Sequence, residues 1–369
     1  MRLLVGGGQR LLAWLVCVAM LSAMPGLSAA QAAPAKEKAK KEKVKQAGDV
    51  APPAVFAREA PLPITLTTNI GQLRSDRADK APWRAATITM ADDAGKPITL
   101  TARAKTHGVW RLKHCNFPPL RLDIIGDAGK TTELQGMGQP KIVNFCRDQD
   151  IYDQLLLSEF QAYRVYQQLT PTSHHVRLLH TTYVDSASGK MHAARYSILV
   201  EDPNKMAERL GGKLLKEKGA SPTDLEPGPA AIALLFEYMI GNTDFSFRGL
   251  HNTELVAMPD GTYLPVVYDF DFSGVVDAPY ATVDAQFGVK SVRDRVFRGF
   301  CAHRDAFPAA ALLFQQKKDA IYALYRDEIG KLMDKGRVDQ TLRFFDKFYE
   351  DIETPRQANR LFDGCVGQR

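Results

Sequence analysis

The stretch KIVNFCRDQDIYDQLLLSEFQAYRVY, residues 141–166, changes its apolar period midway. KIVNF (141–145) reads as a short strand. From 150 to 169, Tyr152, Leu155, Leu156, Glu159, Tyr163 and Tyr166 recur at spacings of three and four, which predicts an amphipathic helix. Upstream, PITLTTNI (63–70), RAATITMA (84–91), PITLTARA (97–104) and PLRLDII (119–125) alternate apolar and polar residues between turn signals, as a mostly antiparallel sheet does. Downstream, VRLLHTTYVD (176–185) and AARYSILVED (193–202) continue that alternation around a turn at Ser186 to Lys190. Beyond Asp202 the pattern is mainly helical: a surface loop from Gly211 to Pro229, then AAIALLFEYMI (230–240), LLFQQKKDAIYALY (312–325) and VDQTLRFFDKFY (338–349). Two short strands, TELVAM (253–258) and YLPVVYDF (263–270), interrupt it. A β-rich first half with one embedded helix, joined to a helical second half, predicts an α+β two-lobed plan. Its divisions are a β-rich part at 55–202 and a mainly helical part at 203–369.

The N-terminal residues carry different signals. Arg2 and Arg10, the apolar run from Leu11 to Leu27, and Ala30-Gln31-Ala32 follow the order of a cleaved secretory signal peptide over 1–32. Residues 33–54 are Lys-rich and poor in large apolar side chains, so they read as a disordered tether. The whole chain is +6. The two leader arginines and the net basic tether account for nearly all of it, so the folded part is close to neutral and lacks the charge that nucleic-acid binding demands. Export to the periplasm or beyond is expected, with no stable membrane insertion once the leader is removed. Cys115, Cys146, Cys301 and Cys365 remain after the leader. An even number in an oxidising compartment favours disulfides, and Cys115–Cys146 with Cys301–Cys365 is the preferred of three pairings, each within one predicted lobe. No Cys/His spacing of a zinc site occurs.

Three stretches carry candidate chemistry. GNTDFSFRGLHN (241–252) follows an apolar helix; VYDFDFSG (267–274) ends a hairpin; and Glu159, inside its helix's apolar stripe, follows Lys141 on a strand. On a persisting strand Asp269 and Asp271 face one side. Two crowded carboxylates repel unless a cation or shared proton relieves them, and Mg²⁺ or Mn²⁺ with oxygen ligands is the economical choice. An Asp in one loop, an Asn after it and a strand ending in Asp is an arrangement that phosphoryl transfer uses. There a strand Lys paired with a helix Glu positions the phosphates.

The loop GNTDFSFRGLHN and the run YDFDFSG resemble the CotH spore-coat kinase-like proteins and, more distantly, HipA-type kinases. KIVNFCRDQDIYDQLLLSEFQAYRVY and the RYSILVED run (195–202) extend the resemblance over roughly residues 100–300. It implies a two-lobed, atypical protein-kinase-like fold and transfer of a phosphoryl or nucleotidyl group from ATP or another nucleotide to a protein or small hydroxyl acceptor. It makes Asp244 the catalytic Asp, Asn252 a metal ligand, and Asp269 or Asp271 the metal Asp. Ile198 to Asp202, with Glu201, becomes the segment beside the nucleobase. Two departures stand out: Asn252 follows Asp244 by eight residues where the family has about five, which leaves Asn242 as an alternative, and no G-x-G-x-x-G loop is present. The phosphate-positioning Lys is read from position as Lys141, with Lys105 and Arg121 as alternatives.

Blander readings compete. Asp244 alone caps a turn; His174 and His175 read as surface or satisfied polar positions; Arg293, Arg295 and Arg298, at helix-like spacing, read as a solvated face; Trp110 reads as packing. The alternative for the whole chain is a catalytically inactive, pseudokinase-like envelope scaffold. A D-x-D glycosyltransferase needs a doubly wound parallel sheet, which the antiparallel first half opposes.

Overall fold

In β1 (Leu62–Thr68) Leu62, Ile64, Leu66 and Thr68 are buried, and in β3 (Pro97–Thr106) Leu100, Ala102, Ala104 and Thr106 are, so every second residue lines one interior. β2 (Arg84–Ala91) lies between them, and β4 (Leu120–Ile124) and β5 (Lys141–Val143) follow. β6 (Val176–Asp185) and β7 (Met191–Val200) form a hairpin whose far edge returns to the first strand. The order β1-β2-β3-β4-β5-β7-β6 is a closed seven-stranded barrel. Every neighbour pair is antiparallel except β1 and β6, which run parallel from Leu62↔Leu179 to Thr68↔Asp185. This computed structural model describes residues 53–367 apart from Asp79 and Asp93; the leader and residues 33–52 of the tether lie outside them.

The closed barrel overturns the two-lobed, kinase-like expectation. Alternation identifies which face of each strand is apolar, but it does not say that the first strand pairs with the sixth. That parallel pairing converts an open sheet into a cylinder without edges. Short helices α1 (Ile70–Ser75) and α2 (Trp110–His114) sit in barrel connections, and α3 (Ile151–Leu169) links β5 to β6. α3 is buried along most of its length and packs against β6 and β7 as well as α5 (Pro227–Ile240) and α6 (Phe307–Ala323). α4 (Pro203–Arg209) leads to a small sheet, ordered β10-β9-β8, of β8 (Lys213–Leu214), β9 (Thr253–Ala257) and β10 (Tyr263–Val267). α7 (Lys335–Asp351) and α8 (Pro355–Phe362) complete the helical part. One apolar core runs from Val55 through the barrel and α3 to Phe362.

Both preferred cystine pairs are formed, Cys115–Cys146 and Cys301–Cys365. Among the described residues no helix is long and apolar enough to cross a membrane. Two further expectations change. The 211–229 loop contributes β8, and residues 291–299 are irregular, so Arg293, Arg295 and Arg298 share no helix face.

Candidate functional site

Two glycines bring the site's loops together. Gly241 ends α5 in the left-handed conformation at φ 68°, where a side chain is strained. Gly274 donates its N–H to Gly241 O at 3.1 Å, and a Cβ there would lie 2.4 Å from Val292 O. Three half-buried arginines brace the same backbone. Arg298 donates to Thr243 O and Phe245 O, Arg293 to Gly274 O, and Arg295 to Met239 O. These guanidiniums hold loop carbonyls, which corrects their reading as a solvated face.

The loop thus held carries Asp244. Asn242, wholly buried, accepts the Asp244 N–H on Oδ1 at 3.0 Å, an Asx turn that sets the direction of the loop. Ser246 and His251 then exchange backbone hydrogen bonds at 2.9 and 3.0 Å. This tight hairpin absorbs the long Asp-to-Asn interval and returns Asn252 to Asp244. Asn252 Nδ2 donates to Asp244 O at 2.8 Å and to Asp244 Oδ2 at 3.0 Å. His251 Nε2 lies 2.8 Å from Asp244 Oδ1, and that bond raises the imidazole pKa above its ordinary value. Asn252 takes a left-handed φ of 50° for this reach, which Asn tolerates better than most residues.

Asp269 and Asp271 depart from the expected strand. β10 ends at Val267, and Asp269 turns to φ 64° with its N–H donated to Tyr163 Oη at 2.9 Å. The two carboxylates therefore share no strand face; they converge on Arg111, which the sequence reading passed over. Arg111 Nε donates to Asp271 Oδ2 at 2.8 Å and its terminal nitrogen to Glu159 Oε2 at 2.5 Å; Asp269 Oδ1 is 3.6 Å away. Tyr280 Oη adds a bond to Asp271 Oδ2 at 3.1 Å. The cation that crowded carboxylates require is here a guanidinium. Burial pushes Glu159 up to about 7 and Asp271 above its ordinary value, with Arg111 opposing in both. Asp269 goes the other way: burial opposes ionisation, but Lys141 and Arg111 overcome it and hold the carboxyl well below the usual range. The two carboxylates of the D-x-D thus differ: Asp271, 6% exposed, is enclosed by Arg111 and Tyr280, and Asp269, 22% exposed, is paired with Lys141.

Lys141 Nζ pairs with Asp269 Oδ2 at 3.1 Å and lies 5.6 Å from the Tyr268 ring. The structure does not join it to Glu159, which Arg111 occupies. Lys105 and Arg121 prove to be its neighbours, because the registers Lys105↔Arg121 and Arg121↔Lys141 put all three in one row across β3, β4 and β5. Glu201 is removed from the set: its carboxylate is forked onto Arg209 at 2.8 and 3.0 Å and accepts the His175 N–H. The expected nucleobase segment is also closed, since Ile198 to Val200 is paired on both sides, to β5 and β6. His174 is buried, with its Nε2 2.8 Å from Glu254 Oε2. Trp110 stacks between His114 and Tyr280 at 4.4 and 4.7 Å, packing as expected.

The Tyr268 N–H, next to Asp269, donates to Asn252 O at 3.0 Å, so the Asp244–Asn252 pair and the Lys141–Asp269 pair lie on adjoining segments, with His251 near enough for the Asp269 charge to act on it. Among the described residues no group of three or more His, Cys, Asp or Glu forms a cation cage. Asp269 Oδ1 is buried without a hydrogen-bond partner. One carboxylate with a nearby amide fits a hard cation that takes most of its ligands from water and phosphate. Arg111 was hidden from sequence reasoning because WRLKH mixes three basic residues with no period; the only signal was the surplus of buried acid at Glu159 and Asp271. Compared with known proteins, the chain matches no family model, and no curated protein shows significant similarity to it.

Proposed function

We propose that this chain transfers a phosphoryl group from a phosphoanhydride donor to a hydroxyl acceptor, with Asp244 as proton acceptor and Lys141 on the donor phosphates. The observation that carries the reading is that the Asp244–Asn252 pair and the Lys141–Asp269 pair are joined through the Tyr268 N–H bond to Asn252 O, from segments on either side of the β9–β10 hairpin and from β5 of the barrel. Asp244 orients the acceptor hydroxyl and takes its proton as the new P–O bond forms and the bridging P–O bond breaks. Lys141 neutralises the phosphate oxygens that gather charge. Asn252 fixes the Asp244 carboxylate by the hydrogen bond its side-chain N–H donates. Asp269 and Asn252 are the residues to hold Mg²⁺ or Mn²⁺, which when bound supplies charge neutralisation at the phosphates. The reading borrows the local likeness of two loops to CotH-type proteins and nothing of a two-lobed fold. Export completes it: the leader order in the sequence and two disulfides suit an oxidising compartment.

A second reading, binding without chemistry, is favoured by one observation. Lys141, Asp244 and Glu159 are each already matched, by Asp269, His251 and Arg111 respectively. The experiment separates the two. The purified chain is incubated with labelled nucleoside triphosphate, Mg²⁺ or Mn²⁺, and a hydroxyl-bearing protein mixture, and donor hydrolysis and acceptor labelling are followed. Asp244→Asn is expected to lower turnover about 10²–10⁴-fold while keeping metal-dependent thermal stabilisation. Equal turnover in Asp244→Asn and the parent protein removes Asp244 from the chemistry. Stabilisation without turnover in the parent establishes the binding reading.

A further inference from the structure

The cation row extends past the site. Lys105, Arg121 and Lys141 are cross-strand partners in turn, and antiparallel partners project to the same side. In β3 the even-numbered residues fill the barrel, so Lys105 lies on its outer surface. Neighbouring strands are about 4.8 Å apart, which spaces the three charges in a line perpendicular to the strands. Lys141 at the inner end meets Asp269. Neither Lys105 nor Arg121 has a carboxylate partner among the described residues; Arg121 donates to Gln139 O at 2.9 Å, and Lys105 lies over the Trp83 ring at 4.7 Å. Along β3 the next outward cation, Arg103, two residues before Lys105, is neutralised by Asp123 at 2.6 Å, so it adds no charge beside the row. His107 borders the row and is neutral: burial, then the charges of Lys141 and Arg121, lower its pKa to about 3. It adds no fourth charge.

The opposite requirement, a place to read a base, is missing where it was expected. Ile198 to Val200 has no free strand edge, the Glu201 N–H donates to His175 O at 2.9 Å, and the Asp202 carboxylate accepts the Gln139 N–H at 3.1 Å. The loop before β5 is therefore fastened over the end of β7. Gly138, at φ 69°, permits that close approach, since a Cβ there would lie 3.2 Å from the Asp202 side chain.

We infer that Lys105, Arg121 and Lys141 form a binding site for a linear chain of three or more phosphates, and that the donor is recognised by this chain and not by a nucleobase. The inference rests on the reading of Lys141 as the donor-side cation. The same chemistry is offered by nucleoside triphosphates and by inorganic polyphosphate, whose terminal phosphoryl group passes to the acceptor oxygen as the bridging P–O bond breaks and the remaining chain leaves.

Calorimetric titration of the purified full chain, with Mg²⁺ present, tests this with ATP, GTP, ADP, tripolyphosphate, pyrophosphate and orthophosphate. Tripolyphosphate is expected to bind within about threefold of ATP and GTP, with affinity falling about tenfold for each phosphate removed. Lys105→Ala and Arg121→Ala, both at half-exposed positions, are each expected to weaken the triphosphates about tenfold and leave orthophosphate unchanged. ATP binding at least tenfold tighter than tripolyphosphate overturns base-independent recognition and assigns the specificity to a nucleoside. Unchanged triphosphate binding in both variants, or no binding of any compound, overturns the row. Tight chain binding with no phosphoryl transfer leaves this inference standing and removes the catalytic one; transfer from ATP alone does the reverse.

Discussion

Arg111 bears more of the site's electrostatic balance than any residue named from sequence. It faces Glu159, Asp271 and Asp269, and two of those carboxylates are already pushed toward protonation by burial. Removing one side of a buried pair leaves the other uncompensated, at a cost of about 3–5 kcal/mol. Arg111→Leu is expected to lose about that much in denaturant unfolding at neutral pH. Its folded-state carboxyl pKa values then rise further above their unfolded values, so the variant's stability is retained at low pH and falls as pH rises. A deficit that is the same at pH 5 and pH 8 argues against the charge account. Arg111→Lys keeps the charge but loses the planar fork that reaches Asp271 and Glu159 together, so only partial recovery is expected. His251 has the opposite sign of exposure: it is accessible, and its pKa is raised by Asp244. For a group with a raised folded pKa, the pairing is fully present below the unfolded value and is lost as pH rises through the folded one. The grip of His251 on Asp244 therefore loosens on going to alkaline pH. A titration of the imidazole by NMR should give a midpoint above the ordinary value, returning to it in Asp244→Asn; an unchanged midpoint there rules out the pair.

At the scale of elements, α2 is five residues long and cannot hold its own geometry, yet it aims Arg111. The Cys115–Cys146 bond supplies the constraint, joining the end of α2 to the segment after β5, where the Asn116 N–H also donates to Cys146 O at 2.8 Å. Closing a loop of 31 residues stabilises by about 3–4 kcal/mol in the chain-entropy account. Replacing both cysteines by Ser is expected to cost that in unfolding and also to weaken phosphate binding. The equivalent change at Cys301–Cys365, which ties the 300 region to the C-terminal segment, should cost about as much and leave binding intact. Equal binding losses from both would show that α2 is not specially dependent on its bridge. Much of this level was legible: the alternation in RAATITMA and VRLLHTTYVD and the Tyr152-to-Tyr166 stripe correspond to β2, β6 and α3. Asp244, Asn252 and Asp269 are legible through the phosphoryl-transfer order of their loops and the resemblance of GNTDFSFRGLHN and YDFDFSG to CotH-type proteins, and Lys141 through its position on a strand before the Glu159 helix. What failed was whatever depends on which side chain claims a carboxylate, near in sequence or far. Glu201 looked available until Arg209, eight residues on, claimed it, and Asp271 looked equivalent to Asp269 until Arg111, from far upstream, and Tyr280 enclosed it. The D-x-D itself was misread because β10 stops at Val267, two residues before the turn at Asp269.

For the whole molecule, the decisive event is the pairing of β1 with β6. A barrel closed on itself has no edge to lose, and α3 packs against it as well as against α5 and α6. Since one apolar core includes all of them, barrel and helices are expected to unfold in one transition. Coincident midpoints from far-ultraviolet circular dichroism and tyrosine or tryptophan fluorescence check this, and two resolved steps would mark independent units. The separation of strand partners has a further bearing on how the molecule is made. Leu62 and its partner Leu179 are well over a hundred residues apart, so on a ribosome β1 is finished long before the strand that completes its pairing exists. β2 covers one edge of β1 early, while the other waits as an open template through the synthesis of β3, β4, β5 and α3. Until Asp185 is in place the unfolded chain is vulnerable to pairing with a second copy of itself through the free edge of residues 62–68.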